Sequence, residues 1–201
     1  KLLACNDGIA ELNFRRFQEM DLRRPGTPAL LSYDGIQYQY MAPHLFTRPQ
    51  FEYAETHLRI LSGFYGILKP LDGVTPYRLE MQAKAAVAGT RNLYEFWGDA
   101  ICRAVTAGDG TILNLASKEY SKCVEKYLGP GDRFVTCVFG ELVDGKVRQK
   151  GTLAKMARGE MVRYLAQTGG REPEDARGFD RLGYRFREEL SGPAEYVFIK
   201  E

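Results

Sequence analysis

The sequence has few of the residues on which most metal and redox sites depend. Its 201 residues include two histidines and four cysteines, and the cysteines are scattered without a C-x-x-C pair. Structural zinc sites usually combine such pairs with further thiol or imidazole ligands, so we predict no metal site and no other cofactor. Scattered thiols are instead expected to be buried and reduced, as in a reducing compartment. The cysteines are Cys5, Cys102, Cys123 and Cys137.

Long apolar runs are also missing. No stretch approaches the about 20 residues that a membrane-spanning helix needs, and the first ten residues, KLLACNDGIA, lack the apolar centre of a secretory signal. The sequence therefore predicts a cytoplasmic protein without membrane association. Its hydrophobic and charged fractions, 44% and 27%, are ordinary for a globular protein. The length, together with the absence of repeats and long linkers, predicts one compact domain over residues 1–201.

The familiar catalytic motifs are absent as well. The chain contains no G-x-S-x-G, no P-loop lysine motif, no G-x-G-x-x-G and no H-E-x-x-H. A serine or cysteine nucleophile would depend on His44 or His57, and neither has a local signature of a catalytic base. The prediction therefore leans away from an enzyme, while one that uses only carboxylates, tyrosines and arginines stays open.

The hydrophobic pattern predicts an irregular alternation of helices and strands, which is typical of an α/β fold, with a mixed α+β fold as the alternative. Thr47 and Gln50 have capping-box spacing before a helix, and Asp144-Gly145 is a strong hairpin signal. Helices are predicted over residues 12–20 and 48–61, from Ser117 toward Tyr127, and from Thr152 to about Gln167. Strands are predicted over residues 33–41, 111–115, 134–143, 146–150 and 195–200.

Positive charge is concentrated in the C-terminal part. The whole chain has a net charge of +2, whereas the stretch from Lys146 to Arg187 has eleven Lys or Arg and five Asp or Glu. On the helix after Thr152, the cations are expected opposite an apolar face and beside the basic hairpin strand, where they would suit a phosphate backbone. The helix cations are Lys155, Arg158 and Arg163, and the strand cations are Lys146, Arg148 and Lys150. Gly159 indicates close packing or the close approach of a ligand.

The segment His57 to Asp72, HLRILSGFYGILKPLD, is interpreted as a helix-hairpin-helix-like element. Gly63 and Gly66 bracket a turn that could let a ligand backbone approach, and the next helix N-terminus would present N–H groups to phosphate. Lys69 would add a positive charge. The usual DNA-binding hairpin has one residue between its glycines and this one has two, so a purely structural corner between helices is the alternative.

Two shorter segments add candidates. If residues 76–81 form a strand, Arg78 and Glu80 share a face, either as a phosphate-orienting pair or as a structural ion pair. Ser117 and Lys118 follow a predicted buried strand and begin a helix, a position where open sheets bind anions. A plain helix cap with a solvated lysine is the alternative at this position.

Five ordered segments together resemble the YaaA peroxide-stress family over nearly the whole chain. They are HLRILSGFYGILKPLDGVTPYRLEM, LYEFWGD, NLASKEY, AKMARGEMVRY and GFDRLGYRF, which begin at residues 57, 93, 114, 154 and 178. The resemblance implies a single-domain α/β protein with a helix-hairpin-helix element and a positively charged cleft. Family members usually begin with a strand and an S-P-A-K-T-like segment, so we expect this chain to lack an N-terminal, strand-containing segment.

The resemblance implies a cytoplasmic stress protein that binds double-stranded DNA without sequence preference and helps to limit iron-driven oxidative damage. An alternative is an enzyme acting on a nucleotide or damaged base, with Tyr77, Arg78 and Glu80 lining a pocket and Glu80 or Asp72 as the acid or base. A weaker alternative is direct iron binding by carboxylates. The residues expected along the cleft are Gly63, Tyr65, Gly66, Lys69, Arg78, Ser117, Lys118, Lys155, Arg158 and Arg163.

Overall fold

A computed structural model describes residues 3, 5–24 and 26–201. In that part of the chain, helices and strands are mixed, which confirms the α/β prediction. The helices are α1 (Asp7–Glu19), α2 (Ala29–Ser32), α3 (Ile36–Met41), α4 (Arg48–His57), α5 (Leu93–Trp97), α6 (Ala100–Val105), α7 (Lys118–Glu125) and α8 (Gly151–Thr168). The strands are β1 (Thr27–Pro28), β2 (Ile60–Ser62), β3 (Gly66–Leu68), β4 (Gly73–Val74), β5 (Thr111–Asn114), β6 (Arg133–Val143), β7 (Lys146–Arg148), β8 (Tyr184–Phe186) and β9 (Glu195–Lys200).

The chain divides into two compact units, and the assignment of one domain to residues 1–201 stays a prediction. Unit 1 contains Lys1–Ser32, Arg59–Val105 and Ser117–Leu128. Unit 2 contains Tyr33–Leu58, Thr106–Ala116 and Gly129–Glu201. Each unit is built from segments that are distant in sequence, so local pattern alone could not delimit it.

Unit 1 contains two small antiparallel sheets. β1 pairs with β4, and β2 pairs with β3. The hairpin β2–β3 buries alternate residues in each strand, which is the period expected of a strand with one face in the core. Helix α6 packs against α7 in the same unit.

Unit 2 is built on a mixed five-stranded sheet. β5, β6 and β9 are parallel neighbours, β8 is antiparallel to β9, and β7 is antiparallel to β6. Helix α8 connects β6–β7 to the later strands and packs on one face of the sheet. The core between them includes Val135, Cys137, Phe139, Ala154, Ala157, Met161, Tyr196 and Phe198. Val138, Val197 and Ile199 form a second buried cluster, with Val147 packed against it.

The strand predicted over residues 33–41 is wrong, because residues 36–41 form helix α3. This helix packs closely on α8 at Gly159, where an added Cβ would lie 2.1 Å from the backbone oxygen of Gln37. The alternation of Ile36, Tyr38 and Tyr40 resembles a strand locally, but the contact with α8 determines the conformation. Such long-range packing routinely overrides local propensity.

The helix-hairpin-helix prediction for residues 57–72 is also wrong. Helix α4 ends at His57, and the following residues form the antiparallel hairpin β2–β3, with Ser62 paired to Gly66. The Ser62 hydroxyl accepts hydrogen bonds from the backbone N–H groups of Phe64 and Tyr65 and so stabilises the tight turn. Residues 76–81, which were considered as a strand, belong to no strand of the described chain.

The other local predictions are confirmed with small shifts, except that the helix predicted over residues 48–61 ends at His57 and residues 60–61 belong to β2. Residues 12–20 lie largely within α1, α4 has the capping box at Thr47, and Ser117 is the N-cap of α7. The helix predicted from Thr152 is α8, whose N-cap is Lys150. Residues 133–143 and 146–148 form the hairpin β6–β7, and residues 111–114 and 195–200 form β5 and β9.

Candidate nucleic-acid interface

The ten residues predicted along one cleft fall in both units. Gly63, Tyr65, Gly66, Lys69, Arg78, Ser117 and Lys118 belong to unit 1, whereas Lys155, Arg158 and Arg163 belong to unit 2. The geometry of each group is therefore described within its own unit.

The two glycines of the β2–β3 turn are required by packing. An added Cβ at Gly63 would lie 2.6 Å from the backbone oxygen of Leu79. Gly66 has a φ of 74°, and its Cβ would lie 2.8 Å from the Trp97 ring. The indole N–H of Trp97 in turn donates to the Gly63 carbonyl at 3.1 Å. The protein itself fills the space that these glycines leave, so their presence is explained without a ligand.

Tyr65 also has a structural role in this turn. Its hydroxyl accepts from the backbone N–H of Thr75 at 3.0 Å and lies 3.0 Å from the Thr75 hydroxyl. Beside it, the two acceptor positions of the Ser62 hydroxyl are taken by backbone N–H groups. The Ser62 hydroxyl also shares a hydrogen bond with the Tyr77 hydroxyl, 2.5 Å away. This network links the hairpin to the chain that follows it.

The carboxylates proposed for acid-base chemistry are engaged in similar contacts. The Asp72 carboxylate accepts from the backbone N–H of Lys69 at 2.7 Å, which stabilises the turn between them. Glu80 pairs with Arg78 at 2.8 Å, a contact that both alternatives for these two residues predict. These contacts give each carboxylate a structural role and provide no support for the enzyme alternative.

The remaining candidates of unit 1 are two lysines and a helix N-cap. Lys69 and Lys118 are exposed, and Ser117 is half-buried at the N-cap of α7. Glu119, in the first turn of α7, accepts from the backbone N–H of Gln82. An acidic side chain thus lies beside Lys118 in the sequence, and the helix start is not purely cationic.

In unit 2, helix α8 does not present its three predicted cations on one exposed face. Lys155 is exposed. Arg158 is partly buried, and its Nε is sealed from solvent without a hydrogen-bond acceptor among the described residues. Arg163 lies 4.0 Å from Glu160, which Arg181 also contacts at 3.2 Å. Because α8 packs between the sheet and α3, much of its cationic side is enclosed.

The enclosed arginine lies near a buried thiol. Burial lowers the pKa of Arg158, and the nearby Cys137 opposes that shift. Burial likewise raises the pKa of the Cys137 thiol, and it raises the pKa of Cys123 to about 11. Thiolates are the reactive form of cysteine, so both thiols are held in the unreactive, protonated form. Cys102 is buried as well.

The exposed cations of unit 2 continue from α8 into the β6–β7 hairpin. Residues 146–155, KVRQKGTLAK, contain four Lys or Arg and no Asp or Glu. Lys146, Arg148 and Lys155 are exposed and form no ion pair with the described residues. Lys150 pairs with Glu141 at 2.7 Å. These three cations, Lys146, Arg148 and Lys155, are called the free cation set below.

The tip of the β6–β7 hairpin also exposes apolar side chains, which a count of charges could not show. Leu142 and Val143 are 52% and 44% exposed there. In the sequence they continue the apolar run of β6, which predicts burial, and only the position of Asp144-Gly145 directly after them indicates a tip.

The start of α8 also differs from a typical helix start, because no side chain caps it and its first turn has no acidic residue.

The described residues contain neither a cluster of metal-ligating side chains nor a membrane-spanning helix. Within residues 3, 5–24 and 26–201, no group of three or more His, Cys, Asp or Glu side chains is placed to hold a metal ion. No helix in the same ranges combines the length and apolarity needed to cross a bilayer.

Comparison with known proteins identifies relatives over the full chain. A family model described as "Peroxide stress protein YaaA" matches residues 1–190. A UPF0246 protein from Desulfitobacterium hafniense is 60% identical over 200 residues, which cover 100% of this chain and 80% of the relative. A UPF0246 protein from Agathobacter rectalis is 58% identical over 197 residues, 98% of this chain and 79% of the relative. One from Pediococcus pentosaceus is 50% identical over 199 residues, with 99% and 79% covered.

Proposed function

This chain belongs to the YaaA peroxide stress protein family, and we propose that it acts in the peroxide response by binding the phosphate backbone of duplex DNA without reading its sequence. Bound there, it limits the damage that iron and hydrogen peroxide cause to DNA. The free cation set is the observation that carries this proposal, because three exposed cations lie within ten residues and none of them forms an ion pair with a carboxylate of the described residues.

The energy of such binding comes mainly from the release of condensed counterions. Each phosphate that a cation neutralises changes the slope of log K against log salt by about −0.9 on B-form DNA. Three contacts from the free cation set therefore predict a slope of about −3. Cations already held in ion pairs, such as Lys150 with Glu141, contribute less because they must first exchange partners.

The start of α8 supports an anion at the same place. Helix N-termini carry unsatisfied N–H groups and a partial positive charge. Here the N-cap is Lys150, and no side chain supplies the usual capping acceptor. A phosphate oxygen would satisfy N–H groups that solvent otherwise satisfies, and it would lie near the cations that precede the helix.

The salt dependence of DNA binding tests the proposal. We expect anisotropy of a labelled random-sequence duplex to show a slope of about −3, and we expect Lys146→Gln/Arg148→Gln/Lys155→Gln to bring that slope close to zero. The matched control, Lys84→Gln/Lys122→Gln/Lys126→Gln, removes three exposed lysines of unit 1 and should keep most of the slope. Wild-type protein that shows no salt-dependent binding up to millimolar concentration would refute the DNA proposal.

Protection of DNA from iron tests the second half of the proposal. Fe²⁺ transfers one electron to hydrogen peroxide, which yields Fe³⁺, hydroxide and a hydroxyl radical that cleaves the DNA backbone. We expect wild-type protein to slow the nicking of supercoiled plasmid by Fe²⁺ and peroxide, in proportion to its occupancy on the DNA. The Lys146→Gln/Arg148→Gln/Lys155→Gln variant has nearly the same capacity to scavenge radicals, so equal protection by both proteins would show that binding is not the cause.

A further inference from the structure

The tip of the β6–β7 hairpin combines exposed apolar side chains with free cations. Leu142 and Val143 are about half exposed, and Lys146 and Arg148 follow directly after the turn. Single exposed apolar residues are ordinary on a protein surface. Two adjacent ones at the tip of a two-stranded ribbon, beside cations that form no ion pair with the described residues, are a feature that a partner would bury.

The register of the hairpin shows how these side chains are distributed. Val143 is paired with Lys146, and Leu142 is paired with Val147. Paired residues share a face and successive residues alternate, so Val143 lies on the face of the two cations and Leu142 lies on the opposite face. The ribbon therefore presents an apolar side chain on each side of its tip, and the face with the two cations also carries Glu141, which is paired with Arg148 in the ladder.

The tip is also held in place. Asp144 and Gly145 both have positive φ, 50° and 72°, as a type I′ turn requires. β6 runs without interruption from the fully buried Phe139 to the exposed Val143. At Gly140 an added Cβ would lie 2.7 Å from a methyl group of Val147, so the second strand packs tightly against the first. Binding at the tip therefore requires little ordering of the chain.

We propose that this hairpin enters a groove of duplex DNA, with Lys146 and Arg148 on the flanking phosphates and with Leu142 and Val143 against sugars and base edges. The inference deepens the proposed function and rests on it. The major groove admits a two-stranded β-ribbon, and apolar wedges beside Lys or Arg are the means by which many architectural proteins deform DNA. An apolar protein partner fits less well, because it would have to bury both cations without a phosphate to pair with them.

The negative charge of Asp144 opposes binding of the tip to DNA, so its removal is expected to change the affinity. Asp144 places a carboxylate at the tip, whereas Glu141 is already paired with Lys150. Asp144→Asn removes that charge and keeps a residue well suited to the positive φ of the turn. If the tip lies in a groove, this variant binds DNA about threefold more tightly, because a like charge near phosphates has been removed.

Substitution of the apolar tip residues separates their contribution to DNA affinity from that of the cations. We expect Leu142→Ser/Val143→Ser to weaken binding about tenfold through lost apolar burial, with the salt slope unchanged because no cation is lost. Leu45→Ser, at another exposed leucine of unit 2, is the control and leaves the affinity unchanged. Circular dichroism confirms that each variant is folded.

The outcomes distinguish this inference from the proposed function. Wild-type binding with a steep salt slope, together with unchanged affinity of the Leu142→Ser/Val143→Ser variant, overturns the hairpin inference and leaves backbone binding intact. Absence of wild-type binding removes the proposed function itself. If the double variant does not fold, the single variants Leu142→Ser and Val143→Ser decide, since a tip outside the interface predicts unchanged affinity for both.

Discussion

Gly159→Ala is expected to lower the free energy of unfolding by about 3 kcal/mol, a large effect for one added methyl group. The new Cβ would lie 2.1 Å from the Gln37 backbone oxygen and 2.9 Å from the Met41 backbone nitrogen. Both are backbone atoms of the α3 segment and cannot rotate away, so α3 must move off α8. In an ordinary helix interior, Gly→Ala raises the free energy of unfolding by about 1 kcal/mol. At Gly159 the same substitution is expected to lower it, because of the contact with α3.

Gly151→Ala is the matched control in the same helix. No atom lies within 4 Å of the Cβ that it adds, so only its effect on helix propensity remains. Urea unfolding followed by circular dichroism measures both variants. A Gly159→Ala protein that is as stable as Gly151→Ala would contradict the close packing of α3 on α8.

Gly66→Ala is expected to have the second large effect, in unit 1. The φ of 74° costs an L-residue about 1–2 kcal/mol. The Cβ would also lie 2.8 Å from the Trp97 ring, and such overpacking adds about 1–3 kcal/mol. The two contributions together predict a loss of about 3 kcal/mol or more in the free energy of unfolding, without any reference to a ligand.

Gly89→Ala separates these two contributions. Gly89 has a similar φ of 82°, but nothing lies within 4 Å of its Cβ, so only the conformational cost applies. Trp97 is the single tryptophan of the chain, and its fluorescence reports the packing of this turn directly. The emission should change in Gly66→Ala and stay as in wild type in Gly89→Ala. Equal losses of stability in the two variants would mean that the Trp97 contact contributes nothing.

The two glycines that the sequence presented as ligand contacts thus have another explanation. The sequence predicts a helix-hairpin-helix-like element at Gly63 and Gly66, either for DNA binding or as a structural corner, yet the two glycines lie in a β-hairpin turn whose open space is filled by Leu79 and Trp97. A glycine in the sequence indicates a close approach or a positive φ, but it does not show which group makes the approach. Trp97 is 31 residues from Gly66, so no local pattern could identify it.

Two of the three cations predicted on α8 are less exposed than the helical pattern predicts. Lys155, Arg158 and Arg163 are close in sequence, and the helical period places them apart from the main apolar stripe. The structure covers α8 from more than one side, and Nε of Arg158 is sealed from solvent, whereas Arg163 lies near Glu160 three residues earlier in the same helix. Helical periodicity predicts which residues share a face of a helix. How many of those faces are buried depends on the segments, distant in sequence, that pack against the helix.

Local chemistry was sufficient wherever a few neighbouring residues set the conformation. The capping box at Thr47, the Asp144-Gly145 turn and the strand before Ser117 could all be predicted, because caps, turns and alternation act over two to four residues. The helical state of residues 36–41, the hairpin at 60–68 and the burial of Arg158 depend on atoms far along the chain. Those outcomes are set by packing, because long-range contacts outweigh propensities of less than about 1 kcal/mol per residue.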